Sequence, residues 1–241
     1  MGRAVTDPLT TALVTGAGRD REIGTAVCRA LAAAGHPVVF TVPPGGDGSA
    51  LAAELGARAV AADLAAPGAA AALLDAVGPV GVLVNNAAHG TNAGYASLDE
   101  ASLDAHYAVN VRTPVMLTCE LARRHPPGTP GRVVCLVSGQ SLGPMPGEIP
   151  YATTKGALET FVRQIAHEVM PLGITVNAVN PGVTDTGWIS DELRPELVAA
   201  MPAGRLGEPE DAARLIAWLC SADASWVTGQ VIASEGGFAR V

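Results

Sequence analysis

Ala12-Leu13-Val14-Thr15-Gly16-Ala17-Gly18-Arg19-Asp20-Arg21-Glu22-Ile23-Gly24 runs from a short apolar stretch through a glycine-rich turn into a helical pattern that opens at Ile23. Such a turn lets the backbone approach a pyrophosphate, whose charge is met by amide N–H groups and the positive end of the helix. Gly16, Gly18 and Gly24 serve that approach. The spacing is longer than the usual dinucleotide fingerprint, so a purely structural turn is the competing reading and the surroundings must decide.

Working outward, apolar runs recur at Ala12–Thr15, Val38–Val42, Arg58–Ala62, Val80–Asn85, Arg132–Val137, Ile174–Asn180 and Gln230–Ala233, each bounded by Gly, Pro or Asn. Helical patterns lie between them: Ile23–Ala34, Ser49–Leu55, Gly68–Val77, Ser102–Arg124, Tyr151–Met170 and Pro209–Ser221, with Pro126 and Pro171 as stops. Strands that are apolar throughout, alternating with helices, predict a parallel sheet covered on both faces. The fold expected is α/β, a single-domain doubly wound Rossmann fold with seven parallel strands, spanning residues 1–241. Ligands of such sheets bind beyond the carboxyl ends of the strands.

Composition narrows the function classes. A net charge of −8 with scattered arginines argues against a nucleic-acid partner. No apolar run reaches the roughly 18 residues of a spanning helix, and Met1–Thr10 lacks the apolar centre of a signal peptide, so no membrane partner is expected and the location expected is cytoplasmic. Cys28, Cys119, Cys135 and Cys220 stand far apart without histidines at ligand spacing, which predicts buried thiols and no metal.

At the nucleotide end, the second strand closes in Phe40-Thr41-Val42-Pro43-Pro44 with no carboxylate for a ribose 2′-hydroxyl, whereas Arg19 in the turn either pairs with a 2′-phosphate or is a solvated loop charge. This favours NADP(H) over NAD(H). Asp63-Leu64 ends the third strand, where Asp63 either accepts from the adenine amino group or caps the following helix. Asn85-Asn86-Ala87-Ala88 ends the fourth, and two adjacent asparagines there need partners for their amides.

At the chemical end, Ser138 follows the fifth strand, and Tyr151 and Lys155 sit one helical turn apart on one face of a long helix. Lys155 is the only lysine in a chain whose other basic side chains are all arginine. A compact ammonium that reaches ribose hydroxyls and lowers the pKa of a neighbouring phenol cannot be replaced by a planar guanidinium.

Together these residues make the chain resemble the short-chain dehydrogenase/reductase family over nearly its full length, most closely 3-oxoacyl-acyl-carrier-protein reductases. The resemblance is carried by Thr15-Gly16…Ile23-Gly24, Asp63, Asn85-Asn86-Ala87, Asn110, Ser138, Tyr151-Ala152-Thr153-Thr154-Lys155, Asn180-Pro181-Gly182 with Thr186, and Glu235-Gly236-Gly237-Phe238. It implies reduction of a small-molecule ketone by hydride transfer, with Tyr151 as general acid in reduction and general base in oxidation. Lys155 would stabilise the phenolate and bind the nicotinamide ribose, Ser138 would hold the substrate oxygen, and Asn110 would hold a water linking Lys155 to solvent. Pro181, Gly182, Val183 and Thr186 would contact the cofactor, with a lid at about 183–205. A homotetramer or homodimer is implied, with Ser102–Arg124 and Tyr151–Met170 at one contact and the C-terminal strand at another.

Two departures stand out: the lengthened glycine turn, and Ala88 where the family has glycine. Enoyl reductases of the wider family also have longer glycine turns, but their Tyr and Lys lie further apart than Tyr151 and Lys155. Enoyl or imine reduction, or a non-catalytic dinucleotide sensor, are the alternatives.

Overall fold

The computed structural model describes residues 10–238; apart from Thr10, the stretch read for a signal peptide lies outside them. Seven strands form one parallel sheet in the order β3-β2-β1-β4-β5-β6-β7. They are β1 (Ala12–Val14), β2 (Val38–Val42), β3 (Arg58–Ala61), β4 (Val82–Asn85), β5 (Gly131–Leu136), β6 (Ile174–Asn180) and β7 (Val231–Ala233). The strand order reverses between β1 and β4, which opens a crevice at their carboxyl ends.

Alternate residues of each strand feed cores on opposite faces. Ala12 and Val14 pack with α1 (Ile23–Ala33), α2 (Ser49–Leu55) and α8 (Pro209–Leu219), through Val27, Leu31, Leu51 and Ile216. Leu13 packs on the other face with α3 (Ala69–Val77), α5 (Thr113–Arg124) and α6 (Ile149–Val169), through Leu74, Leu117, Leu158 and Val162. β1, β2, β4, β5 and β6 are buried along their whole length, whereas β3 and β7, at the two edges, are partly exposed.

The helix expected over Ser102–Arg124 is three segments. α4 (Glu100–Tyr107) starts two residues early because Asp99 Oδ1 accepts the Ser102 N–H at 2.8 Å. A π-helical turn at Ala108–Arg112 then joins it to α5, whose first turn accommodates Pro114. The wider turn buries Asn110. α6 begins at Ile149, two residues before Tyr151, with Pro150 in its first turn. The expected lid contains a short helix, α7 (Arg194–Ala200), whose Leu197 and Val198 pack on a small separate core of Ile189, Met201 and Leu206.

Asp211 fixes the junction between that segment and α8. Its Oδ2 accepts the Glu208 N–H at 2.9 Å and pairs with Arg205 at 2.6 Å, while its Oδ1 pairs with Arg214 at 2.6 Å. The Arg205 hydrogen bonds hold the carboxyl down at about 2. A carboxyl depressed by folding adds stability above its unfolded value near 4, and that stability is lost as the pH falls through about 2. Asp211→Asn is therefore expected to lower stability at pH 7 by about 1–2 kcal/mol, or roughly 2–8 °C in Tm. Thermal melts should show the gap narrowing from about pH 4 downward; a gap independent of pH would contradict the assignment.

Candidate active site

A cleft of about 500 Å³ opens at the carboxyl ends of β1 and β4, within the size range of cofactor sites. Of the residues expected at the nucleotide end, Gly16, Arg19, Ile23, Thr41, Asp63, Leu64, Asn86 and Ala87 all line it. Thr186 reaches it from the loop after β6. Gly18, Pro181, Gly182 and Val183 lie in the adjoining loops without lining it, and Val183 packs on the small core beneath α7.

Hydrogen bonds shape the glycine turn. Asn86 Nδ2 donates to the carbonyls of Thr15 at 3.0 Å and Gly16 at 2.6 Å, and Thr15 Oγ1 accepts the N–H groups of Asn86 (3.0 Å) and Ala87 (3.1 Å). Thr41 Oγ1 accepts the Gly16 N–H at 3.0 Å. Gly16 has φ +72°, and a Cβ on it would meet Ala87 Cα at 2.8 Å. A Cβ at Gly24 would overlap the Gly16 carbonyl oxygen, so the first turn of α1 must carry glycine at its second position for the turn to close this tightly.

Asn86 thus secures the turn, while Asn85 points into the core. Its Nδ2 donates to Thr118 Oγ1 at 3.3 Å, and its Oδ1 has no hydrogen-bond partner among the described residues. Asp63 does not cap α3, whose N-cap is Gly68; its Oδ1 accepts the Ala65 N–H at 2.9 Å in a tight turn beside the cleft.

Arg19 stands at the mouth with its side chain 83% exposed, paired with Glu22 at 3.2 Å. Arg21 reaches the segment beyond β6, pairing at 2.6 Å with Asp185, which also holds Arg194 of α7 at 2.7 Å. The lengthened turn is thereby fastened to the expected lid. Arg21 is the one non-glycine residue with positive φ (+64°) among those described.

Ser138 lies just past β5, and α6 carries Tyr151 and Lys155 beside it. Lys155 is buried, with Nζ donating to the Leu136 carbonyl at 2.7 Å and lying 5.4 Å from the centroid of the Tyr151 ring. Burial lowers its pKa to about 8. The expected lowering of the phenol by Lys155 is not seen in this arrangement. Burial and the nearby Glu148 carboxylate raise the Tyr151 pKa, the Ser138 hydroxyl opposes them, and the ammonium is engaged by the backbone. Tyr151 is therefore protonated at neutral pH.

Asn110 Oδ1 accepts the His89 N–H at 2.7 Å, and its Nδ2 donates to the His89 carbonyl at 2.9 Å and Thr154 Oγ1 at 3.1 Å. Both amide protons are used within the protein, which leaves one acceptor lone pair for a water.

His89 and Val109, which sequence reasoning passed over, line the cleft on its chemical side. His89 packs edge-on against His106 at 4.6 Å, and a Cβ at the next residue, Gly90, would stand 3.8 Å from Tyr151 Cδ2. The signal available for His89 was its place in the loop directly after the Asn-Asn strand end.

Among the described residues no cluster could hold a metal, all four cysteines are free, and no helix is long and apolar enough to cross a membrane. Cys119 is half-buried at the margin of the core beneath α5, against the expectation of full burial. A second cavity, about 640 Å³, lies at the opposite end of the sheet between Pro37, Leu74, Leu121 and Pro130, remote from these groups.

A family model described as Enoyl-(Acyl carrier protein) reductase matches residues 16–239. The uncharacterized oxidoreductase YjdA of Bacillus subtilis (strain 168) is 47% identical over 244 residues, covering 95% of this chain and 96% of that one. The crystal structure of BdcA in complex with NADPH superposes with a TM-score of 0.88 at 32% identity, covering 98% and 96% of the two chains. A 3-oxoacyl (acyl-carrier-protein) reductase from Agrobacterium tumefaciens C58 with NADP bound superposes with a TM-score of 0.86 at 29% identity, covering 95% and 94%.

A single lysine makes its titration directly readable. In protein labelled with ¹³C-lysine, the Cε resonance of Lys155 is expected to titrate at about 8. A midpoint near the ordinary value of about 10.4 would contradict the burial described here.

Proposed function

The chain belongs to the short-chain dehydrogenase/reductase family of oxidoreductases, and from that premise we propose that it is an NADP(H)-dependent reductase of small-molecule ketones. The observation that carries this reading is α6, which presents Tyr151 and Lys155 one turn apart beside Ser138, next to a cleft shaped for a dinucleotide. Its substrate class includes 3-oxoacyl thioesters and ketone intermediates of biosynthesis.

The cleft fits the cofactor by its own features: a glycine turn too tight for a side chain at Gly24, backbone N–H groups at a helix start, and Arg19 at the mouth. Bound there, NADP(H) supplies the hydride. Arg19 exchanges Glu22 for the 2′-phosphate, and the absence of a carboxylate at Val42-Pro43-Pro44 leaves room for that charge. The NADPH and NADP bound in the two structural neighbours support this preference.

On the substrate side, Ser138 donates a hydrogen bond to the carbonyl oxygen and fixes it within reach of Tyr151. Tyr151, kept protonated by burial, delivers the proton to that oxygen, and in the reverse direction its phenolate takes the alcohol proton. Lys155 holds the nicotinamide ribose and stabilises the phenolate as it forms. Asn110 positions the loop at His89 and carries the water that returns protons toward Lys155. The segment at 183–205 closes over the substrate, and the chain works as a homotetramer or homodimer, an assembly that light scattering checks and a monomeric mass would contradict.

Enoyl reduction is the competing reading, favoured by the description of the matching family model and by the lengthened glycine turn. The four-residue spacing of Tyr151 and Lys155 favours carbonyl reduction.

NADPH oxidation on panels of ketones, enones and cyclic imines separates these readings. Turnover of ketones is expected, and turnover of enones or imines alone would overturn the proposal. Tyr151→Phe is expected to lower kcat by about 10²–10⁴ while NADPH fluorescence still reports binding. Arg19→Ala is expected to raise the Kd for NADPH about tenfold, with the Kd for NADH unchanged.

A further inference from the structure

Ser138 has extended backbone (φ −146°, ψ −173°) and is followed by a single 3-10 turn, Gly139–Ser141. That short loop must hold a hydroxyl in register with Tyr151, and the side chain that fastens it is Gln140. Gln140 Oε1 accepts the Ser138 N–H at 3.1 Å, and its Nε2 donates to Glu159 Oε2 at 2.6 Å. A backbone N–H requires the oxygen end of the amide and a carboxylate requires the nitrogen end, so the two partners fix its orientation.

Glu159 is only 7% exposed. A carboxylate so placed is costly unless its oxygens are paired. Oε2 takes the Gln140 amide and Oε1 takes Arg163 Nη2 at 2.7 Å. Tyr151, Lys155, Glu159 and Arg163 follow one another at intervals of four and form one stripe along α6. The Gln140 stem crosses α6 at Gly156, where an added Cβ would lie 4.0 Å from its Cγ. The serine loop is thus bonded to the same helix face that carries the proton donor and the ammonium.

We infer that Gln140 and Glu159 are positioning residues that hold Ser138 in register with Tyr151 for the reduction. The inference rests on the ketone-reductase reading and adds to it a specific constraint. A displacement of about 1 Å at a reacting group costs on the order of 10²-fold in rate, and without Gln140 the Ser138 N–H loses its protein acceptor.

The test compares wild type, Tyr151→Phe, Gln140→Ala, Gln140→Glu and the exchanged pair Gln140→Glu/Glu159→Gln. It uses a ketone turned over by wild type and reads kcat, KM, the Kd for NADPH and Tm. Gln140→Ala is expected to lower kcat by about 10- to 100-fold with the Kd for NADPH close to wild type and Tm lower by a few degrees, because one oxygen of the buried Glu159 loses its donor. Gln140→Glu sets two carboxylates against each other and is expected to lose at least as much. The exchanged pair restores both bonds, the one between loop and helix with its direction reversed, since the carboxylate now on the loop accepts from the Ser138 N–H as before and from the amide now on α6. It is expected to recover most of the lost kcat.

A kcat within about twofold of wild type in Gln140→Ala, or no recovery in the folded exchanged pair, would overturn the inference while leaving the reductase reading intact. Equal losses of kcat, NADPH binding and Tm would replace positioning with a general structural role. A wild type inactive on every ketone would overturn the reductase reading first, and this inference with it.

Discussion

Thr15 and Asn86 tie the carboxyl end of β1 to that of β4, through four hydrogen bonds between one hydroxyl, one amide and the neighbouring backbone. This tie sits where the strand order reverses, the one place in such a sheet where a crevice opens of itself. It draws the glycine turn down against Ala87 until there is room at Gly24 for a hydrogen and nothing larger. The cleft follows from that tightness, because peptide N–H groups can meet a ligand only where no side chains intervene. Outside the tie the turn is long, and its extra length is spent in reaching Asp185 across the mouth.

The chemical end obeys a different constraint, the burial of a single ammonium. Lys155 sits against the Leu136 carbonyl with little access to water, and this depresses its pKa. The same burial raises the phenol of Tyr151. The two groups, whose ordinary values nearly coincide, are thereby pushed apart on the pH scale, the ammonium becoming easier to neutralise and the phenol holding its proton more firmly. Asn110, Thr154 and Gln140 then hold the loops on either side of Tyr151 to α6 and to the π-helical turn.

What the sequence disclosed depended on the range of the interactions involved. Parallel strands buried on both faces leave continuous apolar runs, so five of the seven strands were legible by composition, and edge strands β3 and β7 by their turn signals. Tyr151 and Lys155 stood out because lysine occurs nowhere else in the chain. The π-helical turn at Asn110 was hidden, since it depends on contacts such as Thr113 Oγ1 to the Leu64 carbonyl at 2.6 Å, 49 residues apart. α7 was hidden for a related reason: seven residues carry too little periodicity, and its support includes Phe238 from the far end of the described chain. The sign of the Tyr151 shift required knowing that Lys155 donates to a backbone carbonyl.

Besides the cleft at the carboxyl ends of the strands, a larger cavity lies at their amino ends, without the glycine turn and helix start that suit a phosphate. A crystal structure of the protein with NADP⁺ discriminates between them directly. The pyrophosphate is expected on the turn from Gly16 to Ile23, the 2′-phosphate at Arg19, and the nicotinamide ribose at Lys155. Density for the cofactor in the cavity between Leu74 and Pro130, or a nicotinamide directed away from Tyr151 and Ser138, would contradict it.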